Sequence, residues 1–558
     1  MRSITNRLAC SIILAHAAAA AQAQAAPANS PGTMTIAPAG ITYFAATGDT
    51  LTSIAQNLTG NRNNWIALGK LNRIANDRTI PVGSAITIPL TLLPDEPGEA
   101  RVTAFSGVVT AAPASGTAAP VTIGSRMIEG SQINTGNNGF LTLSLPDGSH
   151  ISLPSNSQIR LSKLRIARYT KSPRTEITLI GGQVESQVSP LGANKGRFEV
   201  RSTLATAGVR GTHFRVGMAG DGIANTVLSG GVAVGTAARP SSLTLAAGSG
   251  NIISATAVGK PVALLAAPSL AADGALQERT TIQFTVQKIS GASAYHAQIA
   301  HDREARDVLA ETRVTGRQLK IDGIPDGDYF ARISALDSAG LEGFPSIIPF
   351  KLKARPVPPF SSQPQSKVRA ERVEFSWIEA PDAQAYHLQV AKDAAFSELL
   401  IDAPDVNGLQ FSSGKLPPGR YFWRTASIAQ KNGKADHGPF GEIRAFDLMP
   451  AQKMTPPADD GGKQLSFGWS SEPGQQFLLQ IARDAAFSSL LLSAETSQPE
   501  IRIARPEVGT YFVRVKATDA DGYVGAFSPP QRFTIDSRWQ TGSGAPLQNS
   551  GGTTGAGY

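Results

Sequence analysis

The chain of 558 residues holds a single cysteine, Cys10, inside its first 25 positions. Everything downstream lacks a thiol, so no disulfide, thiolate ligand or cysteine nucleophile is available there. Domains of ordinary size do not need such cross-links, because burial of a core holds them together. Aromatic residues are scarce at 6%, whereas glycine (55) and proline (37) are plentiful. That balance favours short strands and turns over helix bundles. No run of basic residues exists. A formal net charge of +8 is spread over the chain, which argues against nucleic-acid binding. After the first 25 residues no apolar stretch approaches the ~20 residues of a membrane helix. The Ala/Leu-rich stretch from Ala257 to Ala272 is broken by Lys260, Pro261 and Pro268.

Catalytic patterns are missing as well. His150, His213, His296, His301, His387 and His437 include no H-E-x-x-H pair, and no G-x-S-x-G lies in a strand–turn–helix context. We therefore expect no enzyme, no metal site and no cofactor. His213 is expected to be a hydrogen-bonded structural histidine.

Residues 1–25 have the layout of an export signal. Arg2 and Arg7 precede an apolar run from Leu8 to Ala21, and Ala21-Gln22-Ala23 and Ala23-Gln24-Ala25 are small-residue cleavage sites. Residues 26–40, rich in Ala, Pro and Gly, are expected to be a flexible leader.

Residues 41–90 form the first periodic unit. Ile41 to Phe44 reads as a strand, and Gly48-Asp49-Thr50 as a turn in which Asp49 or Thr50 caps a helix. Leu51, Ile54, Ala55 and Leu58 share one helical face. Trp65, Leu68 and Leu71 mark a second helix, Pro81-Val82-Gly83 a turn, and Ala85 to Pro89 a closing strand. Tyr43, Gly48-Asp49-Thr50-Leu51, Ile54-Ala55, Leu71-Asn72, Pro81-Val82-Gly83 and Ile86-Thr87-Ile88-Pro89 make this segment resemble a LysM domain, with Ala45 where a valine is usual. The resemblance implies a strand–helix–helix–strand unit that binds glycans containing N-acetylglucosamine, above all peptidoglycan. Carried over by position, the glycan-binding candidates are Gly48, Asp49, Thr50, Leu51, Asn76 and Ile80. Turn backbone groups would bind acetamido groups, and small apolar side chains would seat the methyl.

Leu92 to Glu99 reads as an acidic linker. From residue 101 to 255 the pattern is all strand: Leu141/Leu143/Leu145, Ile151/Leu153, Ile159/Leu161, Ile177/Leu179, Val184/Val188, Phe198/Val200, Phe214/Val216 and Val232/Val234 alternate with polar neighbours. Asp147-Gly148 and Asp221-Gly222 signal hairpin turns. Gly181-Gly182 and Gly230-Gly231 each precede a valine strand, hinting at two similar half-turns of a roll. The block from Thr135 to Pro154 and the later Val209-Arg210-Gly211-Thr212 followed by Phe214 resemble the FecR family. Arg210 in this motif is expected to fix a turn between two strands.

The remainder repeats with a period of roughly 90 residues. Gln298, Gln389 and Gln480 correspond, as do Tyr329, Tyr421 and Tyr511, each tyrosine being followed by F-x-R. Phe284, Phe375 and Phe467 correspond too, with Trp377 and Trp469 two residues on in the later copies. Short alternating strands at this spacing suit a β-sandwich. The copies, at 272–353, 360–448 and 455–536, resemble fibronectin type III domains, and their recurring Trp and Tyr are expected in the core. The tail, 537–558, is Gly/Ser/Thr-rich and expected to be disordered.

The fold class expected is mainly β and multidomain: a small α+β LysM-like unit, a β-rich FecR-like roll and three sandwiches. The function expected is a non-enzymatic, exported envelope protein of a Gram-negative bacterium. It would bind peptidoglycan and present its other domains as scaffold or partner-binding surfaces. Two other readings remain: a periplasmic FecR-type regulator without a sigma-factor-binding segment, and a wall-modifying hydrolase.

Overall fold

The computed structural model describes residues 29–190, 196–209, 211–236, 238–459, 463–536, 548–549 and 552–553. The expected signal segment lies outside them. The fold is mainly β, with two compact units: Met1–Ala275 with Thr281–Ile324 and Asp328–Lys351, and Leu276–Thr280 with Pro325–Gly327 and Leu352–Tyr558.

The first unit opens with a three-stranded sheet, β1 (Met34–Ala37), β2 (Gly40–Phe44) and β3 (Ala85–Pro89), with β2 central. The strand β1 falls in the stretch expected to be a flexible leader. Its residues from Met34 to Ala37 pair with Tyr43 to Gly40, so the domain begins before Ile41. Helices α1 (Leu51–Thr59) and α2 (Trp65–Asn72) lie between β2 and β3. Thr50, not Asp49, is the N-cap of α1. It forms a capping box with Ser53, and Gly60 closes the helix in the left-handed region. Leu51, Ile54, Ala55 and Leu58 are buried as their spacing requires, against Ile41, Ala45, Leu68, Ile86 and Ile88. Leu71 differs from expectation. Helix α2 is only eight residues long and buries Leu68 and Gly69, which leaves Leu71 outward and exposed.

The expected linker is built into the fold. Leu90–Leu92 is a 3-10 turn, and Asp95–Pro97 is a strand paired with Gln158–Ala167. Arg174 locks this connection. It reaches the Asp95 carboxylate at 2.8 Å and the Leu90 carbonyl at 2.5 Å.

The roll that follows has two sheets, of nine and ten strands, over one apolar core. Phe198 from one sheet meets Phe214 from the other edge-to-face at 6.2 Å. Its ladders are antiparallel except where Pro173–Gly181 runs parallel to Arg197–Arg201. Gly182 and Gly230 occupy the places where the chain crosses between sheets. Both have positive φ, at 70° and 80°, and an added Cβ would strike backbone oxygens at 2.4 and 2.8 Å. The two glycine pairs are thus paired crossing points, in keeping with the expected half-turns. In the second hairpin the tight turn is Gly220-Asp221, one residue earlier than Asp221-Gly222, because Ala219 pairs with Gly222.

The strands Ile282–Thr285, Ala294–Ala300, Val308–Val314 and Gln318–Ile321 of the first sandwich also belong to this unit. Where the later copies have tryptophan, this one buries Val286.

The second unit contains the other two sandwiches. In the third copy a three-stranded sheet faces a four-stranded one, in the order first–second–fifth against fourth–third–sixth–seventh; in the second copy the same four strands are extended to six by Lys367–Arg369, parallel to Arg444–Met449, and by Lys434–Phe440, paired with Gly419–Lys431. This is the arrangement of a fibronectin type III domain. Trp377, Trp469, Tyr421 and Tyr511 are core residues. The hydroxyl of Tyr421 donates to the Pro417 carbonyl at 2.6 Å and that of Tyr511 to the Glu507 carbonyl at 2.9 Å, a tyrosine corner in each copy. Arg369, buried at the joint between these copies, donates to the carboxylates of Glu472 and Asp519 at 3.0 and 3.1 Å. In the tail, Gln548–Asn549 pairs antiparallel with Gly552–Thr553, and the rest of the stretch expected to be disordered lies outside the described residues.

Candidate functional site

The glycan-binding candidates lie on two loops at one end of the LysM unit. The loop after β2 is closed by its own carboxylate. One oxygen of Asp49, Oδ2, accepts from the Tyr43 hydroxyl and from the Ala46 amide, both at 2.8 Å. Burial raises the Tyr43 pKa, and the bond to Asp49 adds to it. The loop before β3 is fastened to the first. Leu51 N–H donates to the Asp77 carbonyl at 2.9 Å, and Gly83 N–H to the Ala45 carbonyl at 2.8 Å. A rigid pair of adjacent turns results.

The six candidates divide by what they present. Gly48 is exposed with positive φ, and nothing lies within 4 Å of where its Cβ would be, so a ligand can approach its backbone. Asn76 is exposed on the facing loop, where its Oδ1 accepts from the Arg78 amide, and Ile80 is half-buried beside it. Asp49 and Thr50 spend their side chains on loop closure and helix capping. Leu51 is fully buried and faces α2, where a Cβ on Gly69 would meet its Cδ1 at 3.3 Å. Its side chain therefore belongs to the core, and only its backbone borders the loops.

The second motif connects the two sheets of the roll. Val209 ends a strand of the ten-stranded sheet, and His213 begins one of the nine-stranded sheet. Gly211 has φ of 65°, with the Pro190 Cα 3.0 Å from its virtual Cβ. Thr212 is buried and its Oγ1 donates to the Gly231 carbonyl at 3.0 Å. Arg210 lies outside the described residues.

Among the described residues, the most highly charged buried site was not visible in the sequence. It joins the outer face of the nine-stranded sheet to the first sandwich. The Glu185 carboxylate accepts from Arg215 Nε at 2.8 Å and from both terminal nitrogens of Arg332 at 3.0 and 2.7 Å. It also lies 2.6 Å from His213 Nε2, which makes that histidine the bonded, structural one expected. Across the seam, His296 lies between Glu342 at 3.1 Å and Glu311 at 3.0 Å. Arg215 donates to the Glu342 and Gly343 carbonyls at 3.3 and 3.2 Å, and Glu311 accepts from the Ser155 amide at 2.7 Å.

Burial pushes the Glu185 pKa up, but the Arg332 and Arg215 guanidiniums outweigh it and hold the carboxyl well below its usual range. Glu342 is held low against its burial by Arg215 and His296. Glu311, likewise against burial, falls to about 2 through His296 and Ser155. Burial opposes charge on His296, yet Glu342 and Glu311 prevail and raise its pKa. In sequence, Glu185 and Arg215 occupy the outward positions of alternating strands, the pattern of a solvated face. Only the local density of charge in Q-V-E-S-Q and H-F-R could have marked them.

Comparison with known proteins agrees with this division. Residues 46–89 match the LysM domain model, and residues 131–233 match the FecR protein model. No curated protein matches the chain. Among solved structures, one similar chain is a candidate anti-sigma factor from Parabacteroides distasonis ATCC 8503, at 22% identity and a TM-score of 0.19. It covers 24% of this chain, and this chain spans 57% of its length. Another is chicken CNTN1 FN1–FN3, at 15% identity and a TM-score of 0.20, covering 49% of this chain and 99% of that one. The protein thus carries a LysM domain, a FecR domain and fibronectin type III-like sandwiches, in that order.

Proposed function

We propose that the protein is an exported, non-catalytic component of the bacterial cell envelope. It binds peptidoglycan through the paired LysM loops and presents the FecR roll and the sandwiches as scaffold or partner-binding surfaces. The observation that carries this reading is the pair of fastened turns, with the open Gly48 backbone on one and Asn76 and Ile80 on the other. Preformed turns of this kind bind an acetamido group without first ordering a loop. No helix among the described residues is long and apolar enough to cross a membrane, which accords with export through a cleaved signal.

Co-sedimentation with purified sacculi tests the proposal. The chain without its first 25 residues should pellet. Versions lacking residues 41–89 or carrying Ile80→Glu should stay in solution. Pelleting of all three would place wall binding elsewhere. Release of muropeptides would instead support a hydrolase. The FecR match favours one further reading, a periplasmic regulator. Under it, deleting the gene should change transcription of a defined set of envelope genes even where wall binding is intact.

A further inference from the structure

The ionic seam has a counterpart in the second sandwich, in the second compact unit. His296 lies two residues before Gln298, and His387 two before Gln389. Glu311 pairs with Gln298 across the ladder, and Asp402 with Gln389. Glu342 precedes the glycine of E-G-F, and His437 that of H-G-P-F. The positions that hold Glu311, His296 and Glu342 in the first copy therefore hold Asp402, His387 and His437 in the second. In the third they hold Ser493, Leu478 and Val524, which offer no imidazole.

The local geometry is specific. His387 Nδ1 and His437 Nε2 face each other at 2.8 Å. The far nitrogen of each ring is engaged: His387 Nε2 lies 2.5 Å from Asp402 Oδ1, and His437 Nδ1 lies 2.7 Å from the Gly438 carbonyl. Gln389 Nε2 steadies the same Asp402 oxygen at 3.1 Å, and Phe440 packs against both rings at 5.0 and 5.6 Å. Carboxylate and carbonyl accept only from N–H, so both far nitrogens carry hydrogens. The two facing nitrogens then turn their lone pairs toward one another. A carboxylate or carbonyl behind each imidazole is the outer-shell arrangement that orients metal-ligating histidines. His437 is exposed, so the pair opens to solvent.

We propose that His387 Nδ1 and His437 Nε2 form a two-nitrogen site for an imidazole-preferring divalent ion of the Zn²⁺, Cu²⁺ or Ni²⁺ class, held between the two facing lone pairs. Two bonds of about 2.0–2.1 Å to a tetrahedral ion set the nitrogens roughly 3.3 Å apart, so a small rotation of exposed His437 suffices. Among the described residues no group of three or more His, Cys, Asp or Glu is placed to hold a metal. Water therefore fills the remaining positions, and binding is reversible and exchange-labile. Oxygen-preferring Mg²⁺ and Ca²⁺ are poor matches for such a site.

The test uses the full chain without a polyhistidine tag, near neutral pH. Zn²⁺ is titrated calorimetrically, and Cu²⁺ is followed by electron paramagnetic resonance. One equivalent should bind, with two nitrogen couplings on copper. His437→Gln, at an exposed position where folding is checked by circular dichroism, should weaken Zn²⁺ binding by about tenfold or more and remove one coupling. Leu478, in the third copy, already serves as the ligand-free counterpart. Unchanged binding in His437→Gln, or no saturable binding at millimolar Zn²⁺, would overturn the proposal.

Discussion

Replacing Glu185 by leucine tests whether the FecR roll and the first sandwich are one structural body. Among the described residues Glu185 is the sole carboxylate bonded to Arg332 across the seam, and Arg215 shares it. The Arg215 and Arg332 side chains are only 3% and 8% exposed, so water cannot replace the lost partner. Removing one side of a buried pair leaves an uncompensated charge and costs about 3–5 kcal/mol. For a body of this size that lowers the melting temperature by roughly 6–20 °C. The charges explain why the loss is local. Three carboxylates (Glu185, Glu311, Glu342) face Arg215, Arg332 and His296, with Arg313 nearby, and Glu185→Leu removes one negative charge from this set. Glu185→Leu combined with Arg332→Met removes both members and should recover much of the loss, because Arg215 keeps the Glu342 and Gly343 carbonyls. The control is Glu96→Gln, which removes exposed contacts to Arg168 and Lys171 and should cost about 0–1 kcal/mol. Calorimetry of the full chain measures the shift, and hydrogen exchange locates it. A loss below about 1 kcal/mol in the single variant, or exchange protection lost from the sandwich alone, would refute a seam that holds the two together.

The seam also sets a pH window. Glu311, Glu185 and Glu342 have depressed values, so their stabilisation is complete above the ordinary carboxylate range. It is lost as pH falls from about 4.5 through the folded values, near 2 for Glu311. His296 is raised, so its share is complete below about 6.5 and disappears as pH rises through its folded value. Melting temperature should peak between these limits, and His296→Leu should flatten the alkaline side; a profile unchanged by that variant would refute the assignment. Thr50→Ala should destabilise the LysM unit by about 0.5–2 kcal/mol in urea unfolding, through loss of the capping box. Arg424→Met should cost the second sandwich about 1–2 kcal/mol by thermal melting, because the guanidinium lies 4.0 Å from the Phe396 ring and 4.2 Å from the Phe440 ring.

What the sequence made legible was whatever periodicity and turn chemistry encode. The Leu51–Leu58 face, the alternating valines and leucines of the roll, and the 90-residue spacing of Phe, Gln and Tyr all took the burial their spacing required. The strand Met34–Ala37 was hidden because Ala, Pro and Gly around it read as breakers, while its ladder to β2 is a tertiary decision. Asp95–Pro97 was hidden likewise, since an acidic Pro-containing stretch forms an edge strand only when Arg174 neutralises Asp95. At the glycan loops, the resemblance located the region but not the division of labour within it. That Leu51 is core and Asp49 is spent on Tyr43 depends on which way each side chain turns.

The three sandwiches show why a repeat cannot be read as three equal spacers. Each pairs the arginine of Y-F-x-R with the glutamine of the facing strand. In the second and third copies that arginine is clamped between two phenylalanines, Phe396 with Phe440 and Phe487 with Phe527. The first copy has Ala305 where the later ones have Phe396 and Phe487, and Phe140 of the roll packs into the cluster around Ala305; among the described residues no ring stacks on the Arg332 guanidinium as they do on Arg424 and Arg514. Its guanidinium goes to Glu185 of the roll instead. One Phe-to-Ala difference thus accompanies the change from a self-contained module to one sealed on the FecR domain. The first sandwich is thus bonded to the FecR roll through Arg332 and Glu311. Ala305→Phe tests this: a ring there should compete with Glu185 for Arg332 and raise hydrogen exchange along the seam. Unchanged exchange in a folded Ala305→Phe variant would mean that other contacts, not the freed arginine, hold the seam.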